Sequence, residues 1–365
     1  MVSGTTIQID TTEATPAREQ GNSKGLELSP RPLLDAVGGH VEVNRLATLA
    51  GQSILHPRQF DREMVVDLSR LSALLEAVNV EHIKPLDGKI AITAFFEAST
   101  RTRLSFESAV LRLDGKVLSV PDGRVTGMAK GESLADIGEM FNTYGDVVIM
   151  RHPETGSIDE VRTNLDLPLI NAGNGSGQHP TQALLDWYAL LKWRPALALA
   201  DCPDDQRVHL GIDGTPGSMR AVKSFLRLSL LFVGAIDRIT IISEMADPVG
   251  LELESAIEDC PVAVEITNDV REVLGDLDVI YINSIAFLGD SYRELDSRFK
   301  LRDDSSLKRD AVIMHPLARR DELDTSLDAT QHNMYFAQAA GAVFVRQALL
   351  IAVLGRIDRL SEIAS

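Results

Sequence analysis

The chain has 365 residues, 44% hydrophobic and 24% charged, a length that favours two domains over a single core. Its formal charge of -17 argues against nucleic acid or an anionic membrane as partner, because the mean field repels phosphate polymers. No run of about eighteen apolar residues offers a membrane span, the first residues lack a basic stretch followed by an apolar one, and Cys202 and Cys260 have no metal-like spacing. The expected setting is therefore a reducing cytoplasm, with no metal.

Residues 1–40, rich in Thr, Ser, Gly, Glu and Pro, read as a flexible or loosely docked extension without chemistry. From "FDREMVVDLSRLSALLEAV" onward, Val66, Leu68, Leu71, Leu74 and Leu75 recur at helical spacing. Strand-like runs then alternate with helical ones: "KIAITAFF", "KVLSV", "DVVIM", "RVHLGI", "RITIIS", "VAVEI", "DVIYIN" and "DAVIMH". Short apolar strands separated by helices imply βαβ units and parallel sheets covered on both faces. The fold class is α/β with two doubly wound domains. The rhythm breaks at "NAGNGSGQHPTQALLDWYALLKWRPALA", where a glycine-rich loop feeds a long helix, so the junction is placed there. Residues 41–180 form the first domain and 181–340 the second. The apolar helix "MYFAQAAGAVFVRQALLIAVLGRI" returns to the first, which also takes residues 341–365.

"FFEASTRTRLSFESAVLRLDG" carries the chemistry. Phe106, Ala109, Val110 and Leu113 fall at i, i+3, i+4 and i+7, one face of a helix that follows the "KIAITAFF" strand. Ser99 to Arg103 thus occupy a strand-to-helix turn, where unsatisfied N–H groups and the helix dipole attract an anion. With the hydroxyls of Ser99, Thr100 and Thr102 and the Arg101 guanidinium, the turn suits a phosphate dianion. A helix N-cap with solvated arginines explains one Ser or Thr but not the repeated pattern. "VVIMRHPETG" sets Arg151 and His152 after a strand, "GNGSGQHPTQALLD" sets His179 and Gln182 at a helix entry, and "AVIMHPLARRDEL" sets His315 and Leu317 after another strand. One His-Pro pair is ordinarily a turn, but three strand-end clusters point to one cleft.

Taken together, "FFEASTRTRLSFESA", "AKGESLADI", "VIMRHPE", "NAGNGSGQHPTQALLD", "HPLARRDEL" and "AQAAGAVFVRQALLIAVLG" resemble the aspartate and ornithine carbamoyltransferase family, with the greater likeness to aspartate-type catalytic chains. The resemblance runs from about residue 50 to about residue 357 in the family's order. It implies that Ser99, Thr100, Arg101 and Thr102 hold the phosphate of carbamoyl phosphate. It implies also that Arg151, His179 and Gln182 contact the carbamoyl end, and that the backbone carbonyl of Leu317 takes the amide protons. Lys130, in "GRVTGMAKGE", resembles the lysine that family members extend into a neighbouring subunit's site, which implies a homotrimer with shared active sites. No metal, nucleophilic side chain or organic cofactor is needed, since an amine attacks the carbamoyl carbon and phosphate leaves. Catalytic roles fall to Arg101, Thr102, Lys130, Arg151 and His179.

The acceptor region departs from the family pattern. Arg220, in "GIDGTPGSMRAVKSF", matches one carboxylate-gripping arginine, but Ser284 in "DVIYINSIAFLGDSYREL" stands where the second is expected, and Ala286 replaces a polar neighbour. Losing a bidentate arginine costs on the order of a few kcal/mol of charge-assisted binding unless Arg293, Arg319 or Arg320 takes its place, so the expected acceptor is not aspartate. Ala318, expected with Arg220 and Ser284 to line the acceptor site, stands where the family has proline; a cis bond before a non-proline residue costs roughly 2.5–4 kcal/mol, and a differently shaped loop is expected. Four alternatives arise: an aspartate enzyme with a rearranged loop, a non-catalytic binding subunit, an oxidoreductase and a kinase. Retention of Arg101, Lys130, Arg151, His179 and Gln182 weighs against the second. The third fails because Gly211, Gly214 and Gly217 are not spaced as GxGxxG, and a kinase fails because no GxxxxGK[ST] occurs.

Overall fold

The computed structural model describes residues 6–8, 25–36, 40–78, 83–283 and 296–364. Two compact units are present, one formed chiefly by Pro30–Leu184 with Ala342–Ser365 and the other by Leu185–Gly341.

In the first unit, strand β1 (Thr6–Gln8) pairs antiparallel with β2 (His40–Glu42), and helix α1 (Arg31–Ala36) lies between them in sequence. Leu33 and Leu34 of α1 are buried, so this part of the expected flexible extension is packed: two adjacent leucines give it an apolar anchor. After α2 (Asn44–Ala47), helix α3 (Arg62–Ala77) starts at Asp61, whose carboxylate accepts from the Met64 N–H at 2.7 Å. There follow β3 (Ile90–Phe95), α4 (Thr100–Arg112), β4 (Lys116–Val120), α5 (Leu134–Tyr144), β5 (Val147–His152), α6 (Ser157–Arg162), β6 (Leu169–Asn174) and α7 (Pro180–Trp193). Among the described residues these strands form a parallel sheet in the order β4-β3-β5-β6. Strand β6, "LINAGN", runs into the start of the stretch read from sequence as a glycine-rich loop; its asparagines and glycine hid a strand buried throughout.

The second unit contains β7 (Val208–Asp213), α8 (Arg220–Ser229), β8 (Ile236–Ile242), α9 (Leu251–Glu258), β9 (Ala263–Thr267), β10 (Val279–Ile282) and β11 (Val312–Met314). The parallel order is β11-β10-β7-β8-β9. Strands β3, β5, β6, β7 and β10 are buried nearly throughout because helices cover both sheet faces, whereas the edge strands β4 and β9 expose most of their residues. Each sheet reverses its winding beside its first strand, between β3 and β5 in one and between β7 and β10 in the other.

Helix α10 (Tyr335–Val353) is, contrary to the expectation of no such run, long and apolar enough to span a bilayer, with hydropathy 1.6. Two-thirds of that window is buried inside the protein, and Gln338, Arg346 and Gln347 are buried with it, so its apolar character serves the core. The predicted face of α4 is observed: Phe106, Ala109, Val110 and Leu113 are each at most 1% exposed. Phe106→Ala should lower stability to urea by about 3–5 kcal/mol, the usual cost of emptying an aromatic core position; a loss below about 1 kcal/mol would show that α4 is not fixed by this contact.

Candidate functional site

In the first unit, β3 runs into α4 through residues 96–99. Ser99 is the N-cap of α4, in extended conformation, and its side chain makes no capping hydrogen bond; the first turn contains no acidic residue. The hydroxyl and the first-turn N–H groups therefore remain available to an anion. Thr102 is buried, Thr100 and Arg101 are exposed, and partial desolvation lowers the Arg101 pKa. Arg103 differs: its guanidinium lies 3.5 Å from Glu107 and 3.4 Å from the Ser119 hydroxyl, against α4 and β4. Of the two arginines in the STRTR run, Arg101 is the one suited to a ligand.

The β3–β5 register places Phe95 opposite Arg151, and the Phe96 N–H donates to the Arg151 carbonyl at 2.8 Å. The Arg151 Nη2 donates to Glu97 Oε1, also at 2.8 Å, which fixes the guanidinium beside the α4 turn. Glu97 was not singled out from sequence; the signal available was an acid at the end of a buried strand. His179 and Gln182 are 4% and 7% exposed at the start of α7, where the His179 carbonyl accepts from the Gln182 N–H at 3.0 Å. The loop before them is built on Asn174, whose Oδ1 accepts from the Gln178 N–H at 3.0 Å and from Asn171 Nδ2 at 2.9 Å. Gly175 has φ +45°, and a Cβ there would lie 2.9 Å from the Pro153 carbonyl oxygen. Lys130 is exposed at the end of a 3-10 turn, Gly127–Lys130, closed by Gly131 at φ +92°.

In the second unit, Arg220 opens α8 and is partly exposed. Ser284, Ala286 and Arg293 lie outside the described residues. Arg319 is held by Asp328 through both guanidinium nitrogens, one of them at 2.8 Å, and also contacts Tyr335. It is thus engaged within its own unit, while Arg320 is exposed. Leu317 has φ +55°, a conformation that costs a residue with a Cβ about 1–2 kcal/mol. The Leu317–Ala318 peptide is cis, where Ala318 was expected to give the loop another shape.

Sequence reasoning also missed Asp213, the last residue of β7, paired with Ile282 of β10. It is fully buried, and neither carboxylate oxygen has a hydrogen-bond partner among the described residues. Burial first, then the nearby Glu322 and Glu244, push its pKa well above the usual carboxylate range.

Models of the aspartate/ornithine carbamoyltransferase family match twice, the carbamoyl-P binding domain over residues 52–192 and the Asp/Orn binding domain over residues 217–353. The chain belongs to this family. It is 36% identical over 285 residues to the aspartate carbamoyltransferase catalytic subunit of Picrophilus torridus, covering 76% of this chain and 89% of that protein. With the Alkaliphilus oremlandii catalytic subunit it shares 33% over 322 residues, 85% of this chain and 93% of that protein. Aspartate transcarbamoylase of Trypanosoma cruzi, solved with carbamoyl phosphate and aspartate, superposes with a TM-score of 0.73 at 30% identity, covering 85% of this chain and 98% of that one. The same enzyme with carbamoyl aspartate and phosphate gives a TM-score of 0.74 at 29% identity, covering 85% and 97%. The protein is a carbamoyltransferase with the family's two parallel-sheet domains.

A raised folded-state pKa at Asp213 means stability that is present below the unfolded carboxylate pKa and lost as pH rises through the folded value. Asp213→Asn removes that titration, so its melting temperature relative to the parent should climb as pH goes from about 4 to 8. A difference that stays flat across that range would contradict the raised pKa.

Proposed function

We propose that the chain transfers the carbamoyl group of carbamoyl phosphate to the amino group of an acceptor bearing one carboxylate, and that aspartate is a poor acceptor. The observation that carries the acceptor half is the state of the arginines. Arg220 opens a helix and can grip one acidic group, Ser284 occupies the position expected for a second grip, and Arg319 is committed to Asp328. A second carboxylate would be desolvated without a partner, a penalty that outweighs modest packing gains.

The donor half rests on the α4 turn and on the relatives, one of which was solved with carbamoyl phosphate and aspartate. Ser99, Thr100, Arg101 and Thr102 take the phosphate, joined by Lys130. Arg151, oriented by Glu97, acts with His179 and Thr102 on the carbamoyl oxygen, where negative charge accumulates as the amine attacks. Gln182 and the Leu317 carbonyl hold the carbamoyl amide. Holding both reactants removes most of the entropic barrier, and phosphate departs with the electron pair of the broken C–O bond. We place the reaction in the cytoplasm, on a homotrimer in which Lys130 serves a neighbour's site. Leu104, Leu111, Leu118 and Val125, all in the first unit and 46–69% exposed, give a second copy apolar surface to cover.

The names of the relatives favour a second reading, in which aspartate is the acceptor. A panel of amino acids and diamines with carbamoyl phosphate, followed by phosphate release and mass detection of product, separates the two. Aspartate is expected below about 10⁴ M⁻¹s⁻¹ in kcat/KM and behind an acceptor with one carboxylate; aspartate leading the panel above that value establishes the second reading. Mixing Lys130→Ala chains with Arg101→Ala chains should restore activity above either parent. Hybrids with confirmed subunit exchange and no gain would rule out shared sites.

A further inference from the structure

We propose that His315 and Glu322 are positioning residues that set the backbone carbonyl of Leu317; the inference rests on the reading above, which gives that carbonyl the carbamoyl amide. His315 follows β11 directly. Its Nδ1 accepts the Leu317 N–H at 2.7 Å, and its Nε2 lies 2.9 Å from Glu322 Oε1. A neutral imidazole carries one N–H, so acceptance at Nδ1 puts the proton on Nε2, which donates to Glu322. The same Glu322 oxygen accepts the Arg320 N–H at 2.9 Å. The loop is therefore tied at residues 315, 317 and 320 to one carboxylate.

The tie is anchored from behind. The His315 N–H donates to Gln338 Oε1 at 2.9 Å, Gln338 Nε2 donates to Asp186 Oδ1 at 2.5 Å, and the Tyr281 hydroxyl donates to Asp186 Oδ2 at 2.9 Å. His315, Glu322, Gln338, Asp186 and Tyr281 are each at most 2% exposed, so these bonds act without competition from water. What they hold is Leu317 at φ +55°, a conformation a leucine keeps only when its surroundings impose it. A general need for stability would be met by an apolar contact here. A histidine held in one tautomer and aimed at one amide instead fixes the direction of a peptide group, and a carbonyl that must meet an amide N–H needs that direction fixed.

The test uses two pairs of variants of the full chain. His315→Asn keeps an acceptor at the Nδ1 position, whereas His315→Gln keeps only a group at the Nε2 position. Glu322→Gln keeps the accepting oxygen, whereas Glu322→Leu does not. His315→Gln and Glu322→Leu should lose about tenfold or more in carbamoyl phosphate affinity by calorimetry and in kcat/KM, the scale of a misplaced contact to the carbamoyl amide. The conservative partner of each pair should recover most of the loss. Exchange of the ¹⁵N-labelled Leu317 amide should accelerate in His315→Gln and not in His315→Asn. Equal carbamoyl phosphate affinity and kcat/KM within either folded pair overturns the proposal, as does unchanged Leu317 exchange in His315→Gln. If one His315 variant fails to fold, the Glu322 pair decides alone. If the parent carbamoylates no amine, the reading above fails, and the Leu317 exchange still decides whether His315 sets the loop.

Discussion

Phe95 pairs with Arg151 across β3 and β5, and the charged groups of the first unit are placed by that register. The chain winds outward from β3 to β4 on one side and through β5 to β6 on the other, so the β3–β5 junction is where the connections diverge and leave a crevice at the carboxyl ends of the strands. The α4 turn leaves β3 at that point and Arg151 leaves β5 beside it. A one-residue slip would send Arg151 to the opposite face and leave the turn without its neighbour. Glu97 adds a lock, because an arginine with a free stem samples many rotamers, whereas one bonded at Nη2 presents its remaining donors in one direction.

The second unit repeats the logic with opposite chemistry. Its divergence lies between β7 and β10, and the last residue of β7 is Asp213, a buried acid whose environment favours the neutral form. Glu322, not far away, shifts the other way despite its burial: desolvation raises its pKa, but the bonds from His315 and the Arg320 N–H outweigh it and lower the pKa below its ordinary value. Two acids in one neighbourhood are thus pushed apart in protonation by their partners. The hydrogen-bonded one is shifted toward its ionised form, and the one without a partner among the described residues toward its neutral form.

Much of this was legible in the order of residue types. The apolar runs marked eight strands because buried parallel strands carry few polar residues and the exposed edge strands β4 and β9 still keep Val, Leu and Ile, and the alternation with helices fixed the sheets as parallel. The α4 face was readable because Phe106, Ala109, Val110 and Leu113 repeat at the helical period. Strand β6 was not, since Asn171 and Asn174 fill buried positions with side chains that bond to backbone and to each other, and nothing local distinguishes that from a loop. Glu97 and Asp213 escaped for a related reason: their meaning lies in a partner 54 residues away for one and in a missing partner for the other. His315 was noticed as a polar strand end, but its bond to Glu322, seven residues on, follows from a loop conformation that no sequence period encodes.

A net charge of -17 runs against a site for a phosphate dianion. Range resolves it. At physiological ionic strength the Debye length is about 8 Å, so acids spread over the surface contribute little at the α4 turn, while N–H groups and a guanidinium within hydrogen-bonding distance act almost unscreened. What matters is the local census, and there the first turn of α4 holds no acid, Arg103 is turned away onto Glu107, and Arg101 remains. The global charge then acts on encounter alone: it slows the approach of an anion at low salt, and added salt relieves that repulsion while weakening the exposed contacts of Arg101. The more buried donors, Thr102 and His179 among them, lose less, because little of each faces bulk water and its ions.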